Sequence, residues 1–314
     1  MATLYVVVPC YNEQEVICET ASRLSDKLGR MMSGGLCDDK SRILFVDDGS
    51  TDRTWELLQS LYTEHPYVCG LKLAHNKGHQ NALLAGLMTA REHADVSISV
   101  DADLQDDIEV LDKFMEHYHN GCDVVYGVRK RRDTDTVFKR ATAQGFYKLM
   151  KLLGVDVVYN HADYRLLSRR ALDGLEQYKE VNLFLRGIVP TIGYKSDMVY
   201  YDRHERFAGE SKYPLKKMIS FAVDGITSFS VRPLKIISNL GILISLLSVA
   251  GFLYALLSKV FGYTVPGWTA ILCSIWLIGG IQLFCIGIIG TYIGKIYSES
   301  KSRPKYIIET LLKK

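Results

Sequence analysis

Residues 42–54 read RILFVDDGSTDRT. Arg42–Val46 (RILFV) is a short apolar run with no helical period, which predicts a buried strand. Asp47-Asp48-Gly49-Ser50 ends it in a turn, and a helical pattern then continues to about Glu64. The same unit recurs on either side. Upstream, Leu4–Pro9 (LYVVVP) is a strand, and Asn12 caps a helix with Glu15 as the partner of a capping box. That helix runs to about Met32 and stops at Gly34-Gly35. Downstream come a strand at Val68–Leu73, a helix at Gly78–His93, a strand at Val96–Val100, a helix from about Ile108 and a fifth strand at Asp123–Tyr126. Strand–helix alternation at this spacing predicts a parallel sheet covered on both faces. Beyond Arg129 the pattern loosens. A helix is expected near Phe138–Leu153, a strand around Tyr164–Leu167, short helices to Val189 and a strand at Met198–Tyr201.

Ligands in such sheets bind beyond the carboxyl ends of the strands, and acids gather at three of these ends. Strand one ends in Pro9-Cys10-Tyr11-Asn12-Glu13, strand two in Asp47-Asp48, and strand four in Asp101-Ala102-Asp103-Leu104-Gln105. Asp101, Asp103 and Gln105, at alternate positions, fall on one side of an extended chain. Three oxygen ligands there suit a hard divalent cation, Mg²⁺ or Mn²⁺, shared with substrate phosphates. The plain alternative is a solvated acidic turn whose Asp106 and Asp107 favour the next helix's dipole; spacing alone leaves the two even. A calcium loop of the EF-hand type is excluded because Asp106 stands where the glycine is required. Neither G-x-G-x-x-G nor G-x-x-x-x-G-K-[ST] occurs, so a nucleotide must be held by strand-end side chains and a metal on its diphosphate. Asp47, Asp48 and Tyr11 are candidates for the base, although Asp48-Gly49-Ser50 also reads as an ordinary turn and helix cap.

Charge and hydropathy add a second part. No charge occurs in 236–257 or in 260–294 of this 314-residue chain, and about 20 apolar residues are enough to span a bilayer. From Pro233 onward there are eight Lys and Arg against two Asp and Glu; residues 1–232 hold 30 basic and 33 acidic side chains. A mildly acidic body with a basic end argues against general nucleic-acid binding and suits anionic lipid head groups. The seven cysteines are scattered, with no C-x-x-C pair, as expected of reduced thiols facing a cytosol. The first twelve residues lack a basic n-region and read as a strand rather than a signal peptide. Tyr213–Arg232 carries Leu215, Met218, Ile219, Ala222, Val223, Ile226 and Phe229 at helical spacing, which suits an interfacial helix or, nearly as well, a docking helix. Two spanning helices follow, roughly Leu234–Leu257 and Trp268–Tyr292, and the flanking Lys and Arg place both termini in the cytoplasm.

VPCYNE, FVDDGSTDRT and SVDADLQDD, in that order, resemble glycosyltransferase family 2. HADYRLLSRRAL, RFAGESKYPLKK and the two apolar stretches narrow the resemblance to polyprenyl-phosphate (undecaprenyl-phosphate) glycosyltransferases, bacterial relatives of dolichol-phosphate mannose synthase. The resemblance covers essentially the whole chain. It implies a GT-A-like, parallel-sheet α/β domain that binds a nucleotide sugar, followed by an interfacial helix and two transmembrane helices. The boundaries are then 1–212 for a cytoplasmic glycosyltransferase domain, 213–233 for the interfacial helix, 234–294 for a transmembrane hairpin and 295–314 for a basic cytoplasmic tail. It implies a multi-pass protein of the inner (cytoplasmic) membrane. A homotetramer is favoured.

By position, the resemblance implies that Pro9, Tyr11, Glu13, Val46 and Asp48 line the nucleoside pocket. Asp101, Ala102, Asp103 and Gln105 would hold the metal and diphosphate, with Asp103 catalytic through that role. Arg206 and Lys212 would clamp phosphates. Asp163 matches the acid of a D-[FY]-R-L motif, often assigned as catalytic base. HNKGHQNA, with Lys77 and His79, departs from the aromatic that relatives usually carry before the glycine. A lipid monophosphate has a second pKa near 6 and is already nucleophilic at neutral pH, so a base is less necessary than for a sugar hydroxyl. Asp163 is therefore either the base or an orienting partner of Arg165 or of another acceptor-side cation; a plain buried pair with Arg165 or Arg169 is the alternative. Arg129, in the run Arg129-Lys130-Arg131-Arg132, and Arg165 are the candidates for the acceptor phosphate. The expected reaction is metal-dependent, inverting transfer of a sugar, best glucose, from a UDP-sugar to polyprenyl phosphate. UDP-N-acetylglucosamine, another UDP-hexose or GDP-mannose are alternative donors, and a non-catalytic nucleotide-sugar-binding scaffold is the remote one. A processive polysaccharide synthase is set aside because no Trp follows an Arg to form its Q-x-x-R-W motif.

Overall fold

Strands β1 (Leu4–Cys10), β2 (Arg42–Asp47), β3 (Val68–Leu73) and β4 (Val96–Ser99) run parallel in the order β4-β1-β2-β3. They are joined by helices α1 (Ile17–Ser33), α2 (Thr54–Glu64) and α3 (His79–Arg91). This computed structural model describes residues 1–129, 161–181, 184–202, 232–260 and 267–314. After β4 come a short 3₁₀ turn at Ile108–Val110, α4 (Leu111–His119), β5 (Val124–Arg129), β6 (His161–Ser168), α5 (Arg169–Glu176), α6 (Leu185–Thr191) and β7 (Ser196–Tyr201). The chain ends in two long helices, α7 (Arg232–Val260) and α8 (Trp268–Lys301), and a strand β8 (Ile308–Leu312). The expected helix near Phe138–Leu153, the interfacial helix, Arg206 and Lys212 lie outside the described residues.

β1 to β4 are near-continuous apolar runs because both faces are covered. One face packs on α1 and α4 through Leu24, Leu28, Met31 and Phe114, the other on α3 and α5 through Leu83, Leu87 and Leu172. α3 lies so close that a Cβ on Gly86 would sit 2.5 Å from Val7 and 2.6 Å from Val46.

Three expectations are corrected. The sheet is mixed, not parallel: β6 runs antiparallel between β4 and β5, and β8 runs antiparallel along β3, giving the order β7-β5-β6-β4-β1-β2-β3-β8. An apolar run such as Tyr164–Leu167 looks the same in either direction, so sequence did not reveal its polarity. Helix α1 starts at Ile17 rather than after Asn12, and Val16 at its N-cap makes no side-chain cap. Asn12 instead takes a left-handed φ of 54°, and its Oδ1 accepts from Thr51 N–H (2.9 Å) in the neighbouring loop. Finally, residues 295–314 are not a plain tail. They complete α8 and supply β8, whose Leu311 and Leu312 pair with Leu71 and Gly70. Ala74 N–H donates to the Ile307 carbonyl, Tyr62 Oη donates to the Lys313 carbonyl, and Lys72 and Glu309 form an ion pair at 3.1 Å.

β8 covers what would otherwise be the bare edge of β3, and an exposed apolar edge is an aggregation template. Deleting residues 307–314 is expected to lower the thermal midpoint and promote self-association, read by scattering during a melt. A monodisperse protein with an unchanged midpoint would show that β8 adds nothing to the sheet.

Within the described residues, one helical segment, Ile278–Lys301, is long and apolar enough to cross a membrane, with a mean hydropathy of 1.4. α7 and α8 expose large apolar side chains, among them Leu246, Tyr254, Leu283 and Phe284. The C-terminal end of α8 is fixed to the sheet domain: both Glu299 carboxylate oxygens accept from Val181 N–H, and Lys305 Nζ donates to the Tyr178 carbonyl.

Candidate active site

The carboxyl ends of β1, β2, β4, β5 and β7 share one edge of the sheet. β6, being antiparallel, begins there, with Arg165 paired to Ser99 and His161 to Val128. That reversal brings Asp163 beside the acids that follow β4.

The loops after β1 and β2 are laced together. Asn12 N–H donates to Ser50 Oγ, Glu13 N–H to Thr54 Oγ1 (2.9 Å) and Gln14 N–H to Asp52. Ser50, Asp52 and Thr54 thus accept from the loop after β1, and α2 starts with no side-chain cap at its N-cap residue, Arg53. Asp47 is fully buried and accepts from Ser50 N–H, so it does not reach a base. Asp48 is buried and accepts from Lys77 N–H (2.7 Å) and Gly78 N–H (2.9 Å). Burial pushes its carboxyl up, and these two bonds oppose that. Asp48 clamps the HNKGHQ loop over the pocket and keeps second lone pairs on its oxygens. Gly49 is obligatory between the two loops: its φ is 66°, and a Cβ there would lie 2.7 Å from the His75 carbonyl carbon. Pro9 and Val46 are buried and paired in register at the carboxyl ends of β1 and β2. In the loop that follows β1, Tyr11 is 37% exposed and Glu13 is half-buried.

After β4 the chain turns. Asp101 and Asp103 face the open side, Ala102 and Leu104 turn inward, and Leu104 sits at a left-handed φ of 55°. Gln105, expected on the same side as the two acids, is buried where they are half-exposed, and Leu104 at its left-handed φ breaks the extended chain between them. Thr20 Oγ1 on α1 holds the Ala102 carbonyl at 2.8 Å, and Asp103 Oδ1 accepts from Gln105 N–H at 3.2 Å. Asp106, behind the loop, has its pKa raised to about 6, first by burial and then by the Asp101 charge, with Arg129 and the Tyr201 hydrogen bond opposing. Hard oxygen donors with an excess of negative charge fit a divalent cation of the Mg²⁺ or Mn²⁺ kind.

Asp163 is enclosed by cations. Arg165 Nη2 donates to its Oδ1, and Arg186 donates from Nε (3.2 Å) and Nη2 (3.0 Å). Ser99 Oγ fixes its backbone carbonyl. Burial would raise the carboxyl, but Arg186, His79 and Arg165 outweigh it and hold the group well below the usual range. A carboxylate held so low is a weak base. Arg165 is 1% exposed and also donates to the Leu185 carbonyl. The expectation that it meets an acceptor phosphate is corrected: it supports Asp163 from beneath. Arg186, 30% exposed, is the cation on the open side.

Two site residues escaped the sequence reading. His79, the first residue of α3, places Nε2 at 3.8 Å from Asp101 Oδ1 and 3.6 Å from Asp163 Oδ2, bridging the two acidic centres. Burial lowers its pKa, and the two acids more than reverse that. Its place directly after Gly78 in the unusual HNKGHQ segment was the available signal. Arg186 had none, because α6 reaches the site only through the tertiary fold. Arg129, at the end of β5, meets Tyr201 and Asp106.

Residues 5–175, which hold most of the sheet, the laced loops and the acids after β4, match the glycosyl transferase family 2 model, a class of sugar transferases. The chain belongs to that family. It is 56% identical to the uncharacterized glycosyltransferase YkoT of Bacillus subtilis over 98% of this chain and 91% of that one. It is 38% identical to the prophage bactoprenol glucosyl transferase homolog of Escherichia coli K12, covering 98% and 99% of the two chains. With the bactoprenol glucosyl transferase of Shigella phage SfV it shares 39% identity over 97% of each.

Proposed function

We propose that this glycosyltransferase moves glucose from UDP-glucose to polyprenyl phosphate at the cytoplasmic membrane face, inverting the anomeric carbon. One observation carries the reading: similarity to proteins named bactoprenol glucosyl transferases runs through 97–99% of both chains, so it includes α7, α8 and β8 as well as the sheet. The exposed apolar sides of α7 and α8 support a two-helix hairpin in the bilayer. The tie between Glu299 and Val181 supports a catalytic domain held close beneath it.

The base lies between Tyr11 and the Asp48 clamp. Asp101 and Asp103, with Gln105 behind them, would hold Mg²⁺ or Mn²⁺, which when bound would supply positive charge at the donor diphosphate. The acceptor phosphate already carries its charge and needs no base, which agrees with the depressed pKa of Asp163. Asp163 therefore acts as a positioning residue that fixes Arg186, with His79 between it and Asp101. Arg129 and Arg186 receive the acceptor phosphate, and Arg206 and Lys212, outside the described residues, are the further phosphate-binding candidates. Cations between approaching phosphates remove their mutual repulsion.

A donor panel tests the reading. Full-length protein in bilayers with polyprenyl phosphate is expected to use UDP-glucose at least tenfold better, by kcat/KM, than UDP-N-acetylglucosamine, UDP-galactose or GDP-mannose. Preference for another sugar would reassign the donor, and binding without lipid-dependent UDP release would leave a scaffold.

A further inference from the structure

We infer that Tyr201 is a positioning residue for the acceptor side of the site, holding the Arg129 guanidinium through its hydroxyl against the buried carboxylate of Asp106. This rests on the reading of Arg129 as a ligand of the acceptor phosphate.

Tyr201 ends β7, the edge strand beside β5, and is 1% exposed. Its ring packs edge-on against Tyr164 with centroids 5.2 Å apart. Gly127 makes the room: a Cβ there would sit 3.2 Å from the Tyr201 ring and 2.8 Å from the Tyr164 carbonyl. The hydroxyl joins two charged groups. It donates to Asp106 Oδ1 at 2.6 Å and accepts from Arg129 Nε–H at 3.2 Å, while Arg129 Nη2 lies 3.6 Å from the same Asp106 oxygen.

A planar guanidinium gripped at Nε and flanked at Nη2 has its plane fixed. Fixing it in advance reduces the side-chain freedom lost when a phosphate binds. The direction of the relay is fixed too. Burial and Asp106 keep the phenol protonated far above its ordinary range, so it donates to the acid and accepts from the arginine. A buried carboxylate is expensive to keep, and a well-packed apolar residue is often as stable. Asp106 directly follows the Asp101–Gln105 loop, so the same side chain ties the end of β5 to the loop that holds the donor diphosphate. The arrangement sets the distance between the two anions that must meet.

Tyr201→Phe removes the hydroxyl and keeps the ring against Tyr164. In full-length protein reconstituted with polyprenyl phosphate, the acceptor KM is expected to rise about 10-fold, the scale of one hydrogen bond to a charged group. The thermal midpoint falls, because the buried Asp106 loses a donor, but KM for the nucleotide sugar and UDP affinity stay near wild type, a split that a merely structural role would not give. Asp106→Asn, which keeps an acceptor for the hydroxyl and loses the charge, is expected to give a smaller rise in the same constant. Arg129→Ala supplies the reference. If it raises acceptor KM and adding Tyr201→Phe raises it no further, the relay is established. If Arg129→Ala raises acceptor KM but Tyr201→Phe alone leaves it unchanged, the inference is overturned while the reading of Arg129 stands. If Arg129→Ala leaves acceptor KM unchanged, that reading fails and the inference falls with it. Should Tyr201→Phe fold poorly, Asp106→Asn decides alone: an unchanged acceptor KM would overturn the relay.

Discussion

Asp103→Ala is expected to lower turnover at least ~10²-fold, the scale of removing one preorganised electrostatic group, with little loss of fold. Asp103 is half-exposed, and its Oδ1 accepts the turn bond from Gln105 N–H at 3.2 Å. Losing that bond costs about 1 kcal/mol. Asp103→Asn separates loop geometry from charge: it retains the turn bond and is expected to lose nearly as much turnover as the alanine variant. Excess chelator should reproduce the loss in wild type, and added Mg²⁺ or Mn²⁺ should reverse it. Wild-type turnover by Asp103→Asn in chelator would remove the cation from the account.

Asp163→Ala is expected to be the most destabilising single change in the site. It leaves Arg165, 1% exposed, as a buried charge without its carboxylate, a change on the order of 3–5 kcal/mol. That is a large share of a typical stability of about 5–15 kcal/mol. Asp163→Asn keeps the volume and one acceptor and should lose less stability, while still loosening Arg186. The pH dependence has a definite sign. The folded-state pKa of Asp163 lies below its unfolded value near 3.9. Its contribution is therefore complete above about pH 4 and is lost as pH falls toward the folded pKa. Thermal midpoints of wild type should fall more steeply than those of Asp163→Asn as pH is lowered below about 4. Parallel curves would mean that the Asp163 charge adds nothing to stability.

The first five strands and the acids at three of their ends were legible because buried strands and turn chemistry leave local signatures. Helices near Leu58, Leu83 and Phe114 followed from the same periodicity. Strand direction was not legible, since the apolar run of β6 carries no polarity. Yet that reversal carries Asp163 and Arg165 to the edge where Asp101 lies. β8 escaped because Ile307–Leu312 reads as an apolar interruption of a basic segment, and only its pairing with Gly70–Leu73 makes it a strand. The nucleotide motif was over-read at Asp47, whose acid serves the turn, and under-read at His79 and Arg186. Local sequence shows which residues carry chemistry; how they divide between contact and support depends on burial that only packing decides.

The most direct measurement follows radiolabel from UDP-glucose in bilayers containing full-length protein and a divalent cation, with and without polyprenyl phosphate. The account predicts label in an acid-labile lipid fraction only when the lipid phosphate is present, with one UDP released for each glucose transferred. Label entering lipid without the phosphate, or UDP release with no labelled lipid, would contradict it.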